Sequence, residues 1–182
     1  AAGAESACDT AEAAADDARA ALFVAVHEDL VAIERGDAQR AEDILSSAEA
    51  ELKQLGEGRS QLFGLVLGGR GVLAASVGNN VEAERYLAQA LPIMRRHRKD
   101  DPAKFAETAT NLATLLVSRG AFDGAKPHYL ESIEALDGAG VEDSITLANA
   151  LNGLAYAQYQ GGDYGEAEKN LKRAVAIYTS IE

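Results

Sequence analysis

The sequence predicts an all-α fold, an α-solenoid in which helix-turn-helix units of equal length stack side by side. The first observation is composition: hydrophobic residues make up 47% of the 182 residues, aromatic residues only 5%, and there is no Trp. Such a chain favours close-packed helices, whereas a β-sandwich needs more β-branched and aromatic residues. The second and third observations are a repeat of 42 residues and a helical spacing of apolar residues within each repeat.

The repeat appears in four copies that align without a gap. Its first column is glycine, and the later columns hold mostly small or apolar residues. The columns are Gly36, Gly78, Gly120 and Gly162; Ala41, Ala83, Ala125 and Ala167; Leu45, Leu87, Tyr129 and Leu171; Ala48, Ala90, Ser132 and Ala174; and Leu52, Met94, Leu136 and Tyr178. Five columns that keep phase across four copies indicate four repeats.

Each column has a structural role in a helical hairpin. Apolar residues such as Leu112, Leu115 and Leu116 run at helical spacing into the glycine, which supplies the left-handed position that ends the helix. The columns after the glycine trace one face of a second helix. The small alanine five residues past the glycine lets the two helices approach to about 8–10 Å.

Individual residues mark where the helices begin and end. Asp101 is predicted to be an N-cap, with Pro102 at the first helical position. Asp143 is predicted to cap the first helix of the fourth repeat in the same way. Pro92 falls inside a predicted helix, where a kink or an early break is expected.

Residues 62–78, LFGLVLGGRGVLAASVG, allow two interpretations: a glycine turn that binds a dinucleotide, or a glycine-rich helix. The repeat phase places this stretch on the first helix of the second repeat, and no βαβ unit surrounds it. Gly64, Gly68 and Gly71 are spaced i, i+4, i+7 and share one helical face. The sequence therefore predicts a helix that lies close to its neighbour and depends on that packing, because each glycine costs about 1 kcal/mol relative to Ala.

These repeats resemble the tetratricopeptide repeat in its long, 42-residue form typical of kinesin light chains. The third and fourth repeats match its pattern most specifically. The matching residues are Asn111, Leu112, Ala113, Gly120, Phe122, Ala125, Pro127 and Tyr129, followed by Leu154, Ala155, Gly162, Tyr164, Ala167 and Leu171. The resemblance covers about residues 22–182 and implies a right-handed superhelix of non-catalytic repeats. It also implies that the first helix of each repeat lines a concave groove that binds peptides or partner helices.

The predicted domain is single, with an N-terminal extension at 1–21 and repeats at 22–63, 64–105, 106–147 and 148–182. The first two repeats depart from the family pattern. Arg70 stands where an apolar residue is expected, Asn80 replaces an aromatic residue, and Asp29 replaces a small one. An ion pair between Arg70 and Asp29 would rationalise two of these departures, and the alternative is that Arg70 faces a ligand.

The sequence offers no catalytic constellation, so we expect no enzymatic activity, no cofactor and no metal site. His27, His97 and His128 lie in three different repeats without metal-ligand spacing, and Cys8 is the only cysteine. The formal charge of −12 argues against a nucleic-acid partner held through phosphates. No apolar run approaches the roughly 18 residues of a membrane span. The compartment stays open between the cytoplasm and an exported mature form.

Recognition of a protein or peptide is the function that remains, and polar stripes on two first helices are its candidate site. The first stripe is Glu107, Asn111, Thr114 and Ser118; the second is Asn149, Asn152, Tyr156 and Tyr159. Asn can donate and accept hydrogen bonds at once, which suits a peptide backbone, and Tyr adds apolar area with a polar tip. An ordinary solvated surface is the alternative. The acidic chain weakly favours a basic partner.

Self-association is the second class of function, alongside a regulatory fragment of a larger protein. No polar helix follows the last hairpin, so Val175, Tyr178 and Ile181 are expected to form an open stacking surface. Residues 10–21 could cap the opposite end. The resulting alternative is a homo-oligomer formed through the last hairpin.

Overall fold

A computed structural model of the chain describes residues 37–181 and Ala20. Residues 37–181 form seven α-helices and no strand, which confirms the predicted all-α fold. The helices are Ala38–Gln54 (α1), Gln61–Ser76 (α2), Asn80–Arg96 (α3), Pro102–Ser118 (α4), Phe122–Gly138 (α5), Ile145–Gln160 (α6) and Tyr164–Ile181 (α7). The number of repeats in the whole chain and the hand of the superhelix stay predictions.

Consecutive helices pair into three hairpins, α2–α3, α4–α5 and α6–α7, which have the most extensive contacts in the described chain. The hairpins stack because α3 packs on α4 and α5 packs on α6. The first helices also contact one another, α2 with α4 and α4 with α6. Helix α1 packs on α2 as the second helix of the first predicted repeat. The predicted boundaries at 64, 106 and 148 fall just inside α2, α4 and α6.

Three of the four aligned glycines end a helix as predicted. Gly78, Gly120 and Gly162 have φ angles of 79°, 76° and 84°, a left-handed conformation that favours glycine. In each case the amide N–H of the next residue donates to a carbonyl in the last turn, as Ala121 does to Leu116 at 2.9 Å. Gly36 lies outside the described residues.

Of the two predicted helix starts, one is correct and one is off by one residue. The Asp101 side chain accepts a hydrogen bond from the Lys104 amide, and Pro102 begins α4. Asp143 is not the cap of α6, because Ser144 takes that position and accepts from the Leu147 amide. Of the two outcomes expected at Pro92, the early break is absent, since α3 continues to Arg96, and the kink stays a prediction.

The repeat columns form the core between the helices, except at Leu171 and Tyr178 of the fourth repeat, which are exposed. Within the described chain the column alanines, Ala41, Ala83, Ala125 and Ala167, are buried, as predicted for positions where two helices approach closely. Ser132 is a polar member of this core. Its hydroxyl lies 2.8 Å from the Thr110 hydroxyl and donates to the Ala106 carbonyl at 3.1 Å, so its burial leaves it hydrogen-bonded.

The glycine-rich stretch is the helix α2, and two of its glycines let α3 lie against it. A Cβ at Gly64 would fall 2.7 Å from Met94 Sδ, and one at Gly71 would fall 2.6 Å from Leu87 Cγ. At Gly68 the nearest atom is Thr108 Oγ1 on α4, at 3.8 Å, so there is room for a methyl group. The shared glycine face therefore serves close packing at two of its three positions.

Candidate functional site

The polar stripe of α4 is accessible along most of its length. Thr114 and Ser118 are exposed and Asn111 is half-buried. Thr114 shares a hydrogen bond of 3.1 Å with the Tyr129 hydroxyl, and the Ser118 hydroxyl donates to the Leu115 carbonyl at 2.7 Å. Burial raises the pKa of Tyr129, against the smaller opposing effect of the Thr114 bond. The N-terminal end of the stripe is charged, because Lys104 donates a hydrogen bond of 3.0 Å to Glu107.

The second stripe, on α6, is exposed at all four predicted residues. Asn149 accepts a hydrogen bond of 2.6 Å from the Tyr178 hydroxyl on α7. The Tyr156 ring meets Phe122 edge-on, with ring centroids 5.8 Å apart. Tyr159 meets Tyr164 in the same way at 5.2 Å. Asn149 and Tyr159 thus contact α7 of their own hairpin, whereas Tyr156 contacts the start of α5.

The repeat separates the α6 residues into two surfaces. We call residues 42 positions apart equivalent. Tyr156 is equivalent to Thr114 and continues the exposed stripe of α4. Tyr159 is equivalent to Val117, which packs against the core shared by α4, α5, α6 and α7. In the preceding repeat, the position equivalent to Tyr159 is covered by the following hairpin.

Asn152 belongs to the same surface as Tyr159, because its equivalent in the preceding repeat is also covered. Its equivalent, Thr110, is buried, and Gly68, one further repeat back, faces Thr108 of the next first helix. By repeat position, Asn111, Thr114, Ser118 and Tyr156 therefore form one stripe on two helices that contact each other, which we call the first-helix face. Asn152 and Tyr159 point toward the side of the α6–α7 hairpin away from α5.

That side, which we call the end face, is largely apolar. Tyr159 of α6 and the α7 residues Tyr164, Leu171 and Val175 are exposed on it. They line an open cavity of about 470 Å³ together with Ala167, Glu168 and Lys172. Tyr178 and Ile181, which the sequence predicts to be open with Val175, are exposed farther along α7.

Arg70 is held by two carboxylates on α1. It forms ion pairs with Glu49 and, at 2.5 Å, with Glu42, and its guanidinium lies 4.6 Å from the centre of the Tyr86 ring. Burial disfavours the charged form of Glu49, but hydrogen bonds from Lys53 and Arg70 outweigh it and lower the pKa of Glu49. The pair predicted with Asp29 lies outside the described residues, so that prediction stays open.

The repeat contains a signal for the Glu49 pair that the sequence-based prediction missed. Arg70 is equivalent to Leu112, and Glu49 is equivalent to Leu91 and Ile133. Leu112, Leu91 and Ile133 are buried. Two positions that are apolar in the later repeats are therefore both charged here, with opposite signs, which favours a structural role for Arg70.

Neither a cluster of metal-binding side chains nor a helix that could span a membrane occurs among the described residues. In 37–181 no three His, Cys, Asp or Glu side chains are placed to hold a metal ion. His97 Nδ1 lies 3.7 Å from Asp100. Burial lowers the pKa of His128, against the opposing charge of Glu131. None of the described helices is both long and apolar enough to span a membrane. His27 and Cys8 fall outside the described residues.

This architecture of stacked antiparallel helix pairs defines an α-helical repeat protein. Residues 104–180 match the family model of the tetratricopeptide repeat. No curated protein matches the sequence. The resemblance stated from the sequence is therefore confirmed over residues 104–180.

Two solved structures show the same fold. The crystal structure of BtubC (BKLC) from P. vanneervenii is similar with a TM-score of 0.71 and 23% identity, over 85% of this chain and 61% of that one. The chain thus spans less than two thirds of the BtubC chain. A putative kinesin light chain of Podosopora anserina with nearly identical TPR-like repeats is similar with a TM-score of 0.53 and 13% identity, over 88% of this chain and 96% of that one. At these identities the likeness shows the fold, a tetratricopeptide-repeat-like solenoid.

Proposed function

We propose that the chain is a non-catalytic protein-binding module that holds an extended partner segment along its first-helix face. Tetratricopeptide repeats generally mediate protein–protein interactions, and residues 104–180 of this chain match their family model. The observation that carries the proposal concerns Thr114 and Tyr156. These two residues are exposed at equivalent positions of two first helices, and the two helices contact each other.

The chemistry of the first-helix face fits a peptide backbone. Asn111, Thr114 and Ser118 offer an amide and two hydroxyl groups, each able to donate and accept hydrogen bonds. Tyr156 adds an aromatic ring with a polar tip, a residue type that protein interfaces favour. The face has no Lys or Arg that would clamp a terminal carboxylate, so an internal segment of the partner fits better than a chain end.

The charge of the chain favours a basic partner. The formal charge is −12, which speeds the approach of a positively charged protein and slows that of an acidic one. The first-helix face itself contributes little to this preference, because Glu107 at its end is paired with Lys104. Long-range attraction would therefore set the rate of association, and local hydrogen bonds would select the segment.

A displayed library of random peptides tests the proposal and does not require an identified partner. Peptides selected on the full chain are measured by calorimetry against the double variant Asn111→Ala/Tyr156→Ala. We expect affinity to fall by about tenfold or more, equivalent to about 1.4 kcal/mol. The matched control is Asn152→Ala/Tyr164→Ala, which removes the same residue types from the end face and should leave affinity unchanged.

Two results would count against the first-helix face. Equal loss of affinity in both double variants would place the peptide elsewhere or indicate a general loss of structure. Circular dichroism of each variant separates these cases. A library that yields no binder to the folded chain would contradict the proposal outright.

A further inference from the structure

The end face is an exposed apolar surface, and the equivalent residues of the preceding hairpin are covered by the next hairpin. Leu171 and Val175 on α7 are exposed, whereas the equivalent Tyr129 and Ile133 on α5 are buried under α6. Tyr164 is likewise equivalent to Phe122, whose ring packs against Tyr156 of the next hairpin. Exposed apolar area of this kind is stabilised by docking against another helix.

The α7 part of the end face is arranged in one stripe. Tyr164, Glu168, Leu171 and Val175 follow a spacing of i, i+4, i+7, i+11, which keeps them on one side of the helix. Lys172 borders this stripe and lies 2.7 Å from Glu168. The stripe therefore combines apolar residues with one acid and one base, and its local charge is zero in a chain of −12.

This stripe is complementary to itself when two copies of α7 run antiparallel. A two-fold axis at the level of residue 170 brings Glu168 of one copy opposite Lys172 of the other. The two Leu171 side chains then meet near the axis, offset by about 3 Å along the helices, since each residue rises 1.5 Å. Tyr164 lies six residues from the axis and Val175 lies five residues from it on the other side. Tyr164 of one copy is therefore within about 1.5 Å, along the helix axis, of Val175 of the other copy.

The order of the charged side chains around the axis adds to this complementarity. Around the axis the two Glu168 and two Lys172 side chains alternate, so each carboxylate has an ammonium group from both copies. Like charges directly opposite one another would oppose association, and this arrangement avoids them. An isologous interface requires such a self-complementary patch.

We infer that the end face binds a second copy of this chain, in a two-fold dimer formed by antiparallel α7 helices. Leu171 is the centre of the interface, Tyr164 and Val175 pack across it, and Glu168 and Lys172 set the direction and level of the pairing. Tyr159 closes the apolar patch from α6. This dimer is separate from the first-helix face, which remains free to bind a partner segment.

Sedimentation velocity of the full chain over a range of concentrations up to the sub-millimolar tests the dimer. We expect a monomer–dimer equilibrium whose dissociation constant rises by about tenfold or more in Leu171→Glu. Leu130→Glu on α5 is the matched control, because Leu130 is 53% exposed and Leu171 is 43% exposed. Leu130→Glu and Tyr156→Ala should leave the constant unchanged, so this outcome does not depend on peptide binding.

A charge exchange tests the geometry itself. Glu168→Lys alone and Lys172→Glu alone each place like charges across the axis, and each should weaken its own dimer. An equimolar mixture of the two variants restores opposite charges at both contacts and should recover association close to that of the unchanged chain.

A chain that stays monomeric at every concentration overturns the inference and leaves another helix as the occupant of this face. So does a dimer that Leu171→Glu does not weaken, or a mixture that fails to recover association. Assembly beyond the dimer would also contradict a closed two-fold interface.

Discussion

The α4–α5 and α6–α7 hairpins place residues of the same kind at equivalent positions and differ in what covers them. Tyr129 is 1% exposed on α5, and its equivalent Leu171 is 43% exposed on α7. Ile133 is 9% exposed and Val175 is 60% exposed. The equivalent alanines, Ala125 and Ala167, are buried in both hairpins, because they face the other helix of their own pair.

The difference shows that two kinds of burial stabilise this fold. One arises within a hairpin and is present in every repeat, and the other is supplied by the neighbouring hairpin. Gly153 on α6 illustrates the second kind, since a Cβ at this residue would lie 2.3 Å from Cζ of the Tyr129 ring. In a solenoid each unit contacts only its neighbours, so such contacts determine how the repeats fold together.

The largest expected effect separates the covered residue from its exposed equivalent. Tyr129→Ala removes a buried ring that also bonds to Thr114, and we expect it to lower the free energy of unfolding by about 3–5 kcal/mol. Leu171→Ala should cost less than about 1 kcal/mol, because much of that side chain is already in water. Urea unfolding followed by circular dichroism measures both, and similar losses would contradict the comparison.

The contact between Gly153 and Tyr129 gives the next effect. Gly153→Ala should destabilise the chain by about 1–3 kcal/mol, because the added methyl overlaps the ring, even though Ala is the better helix former. Gly165→Ala on α7 is the control, since nothing lies within 4 Å of its added Cβ. That variant should be neutral or more stable, as judged by thermal melting.

A second-site change sharpens this result. Tyr129→Leu introduces the residue found at the equivalent positions 87 and 171, and it removes the atoms that the new methyl would strike. The double variant Gly153→Ala/Tyr129→Leu should therefore be more stable than the sum of the two single changes predicts. Strict additivity would show that the close approach has no energetic consequence.

A comparable effect is expected between α1 and α2, where charged residues stand at positions that are apolar in the later repeats. Arg70→Leu alone removes one of the two cations that pair with Glu49 and leaves only Lys53, so it should cost about 1–3 kcal/mol. Arg70→Leu/Glu49→Leu restores the residue type of the later hairpins and should match or exceed the stability of the unchanged chain. If the double variant is as unstable as the single one, Arg70 has a role that apolar packing cannot replace.

The smallest effect is a dependence on pH. Folding lowers the pKa of Glu49, so its contribution to stability is present above its ordinary value of 4.5 and is lost as the pH falls through the lowered value. Between about pH 6 and pH 3 the unchanged chain should lose more stability than Glu49→Gln does. Parallel urea titrations at each pH measure the difference, and identical pH profiles would contradict it.

Much of the fold follows from periodicity alone. The glycines at 78, 120 and 162 and the alanines five residues later predicted the helix ends and the buried small residues between helices, because both depend on local backbone geometry and side-chain size. The prediction that residues 62–78 form a helix rested on their position in the repeat and not on their helix propensity. The cap of α6 was missed by one residue, since Asp143 and Ser144 can both accept the required hydrogen bond.

The site was less predictable, because one helix has several solvent-facing sides and the sequence does not show which neighbour each one meets. The α6 stripe combined Tyr156 with Asn152 and Tyr159, although their equivalents Thr114, Thr110 and Val117 differ in burial. The partner of Arg70 was sought on the corresponding first helix of the preceding repeat. The contact with Glu49 instead joins a first helix to the second helix before it.

Thiol labelling tests most directly whether the neighbouring hairpin decides burial. In a Cys8→Ser background, the variants Val175→Cys and Ile133→Cys place one thiol at equivalent positions of α7 and α5. At concentrations low enough to keep the chain monomeric, we predict that the cysteine at 175 reacts at least about tenfold faster, since the one at 133 must wait for local opening. Equal rates would contradict the central claim, because the two positions would then be equally open to water.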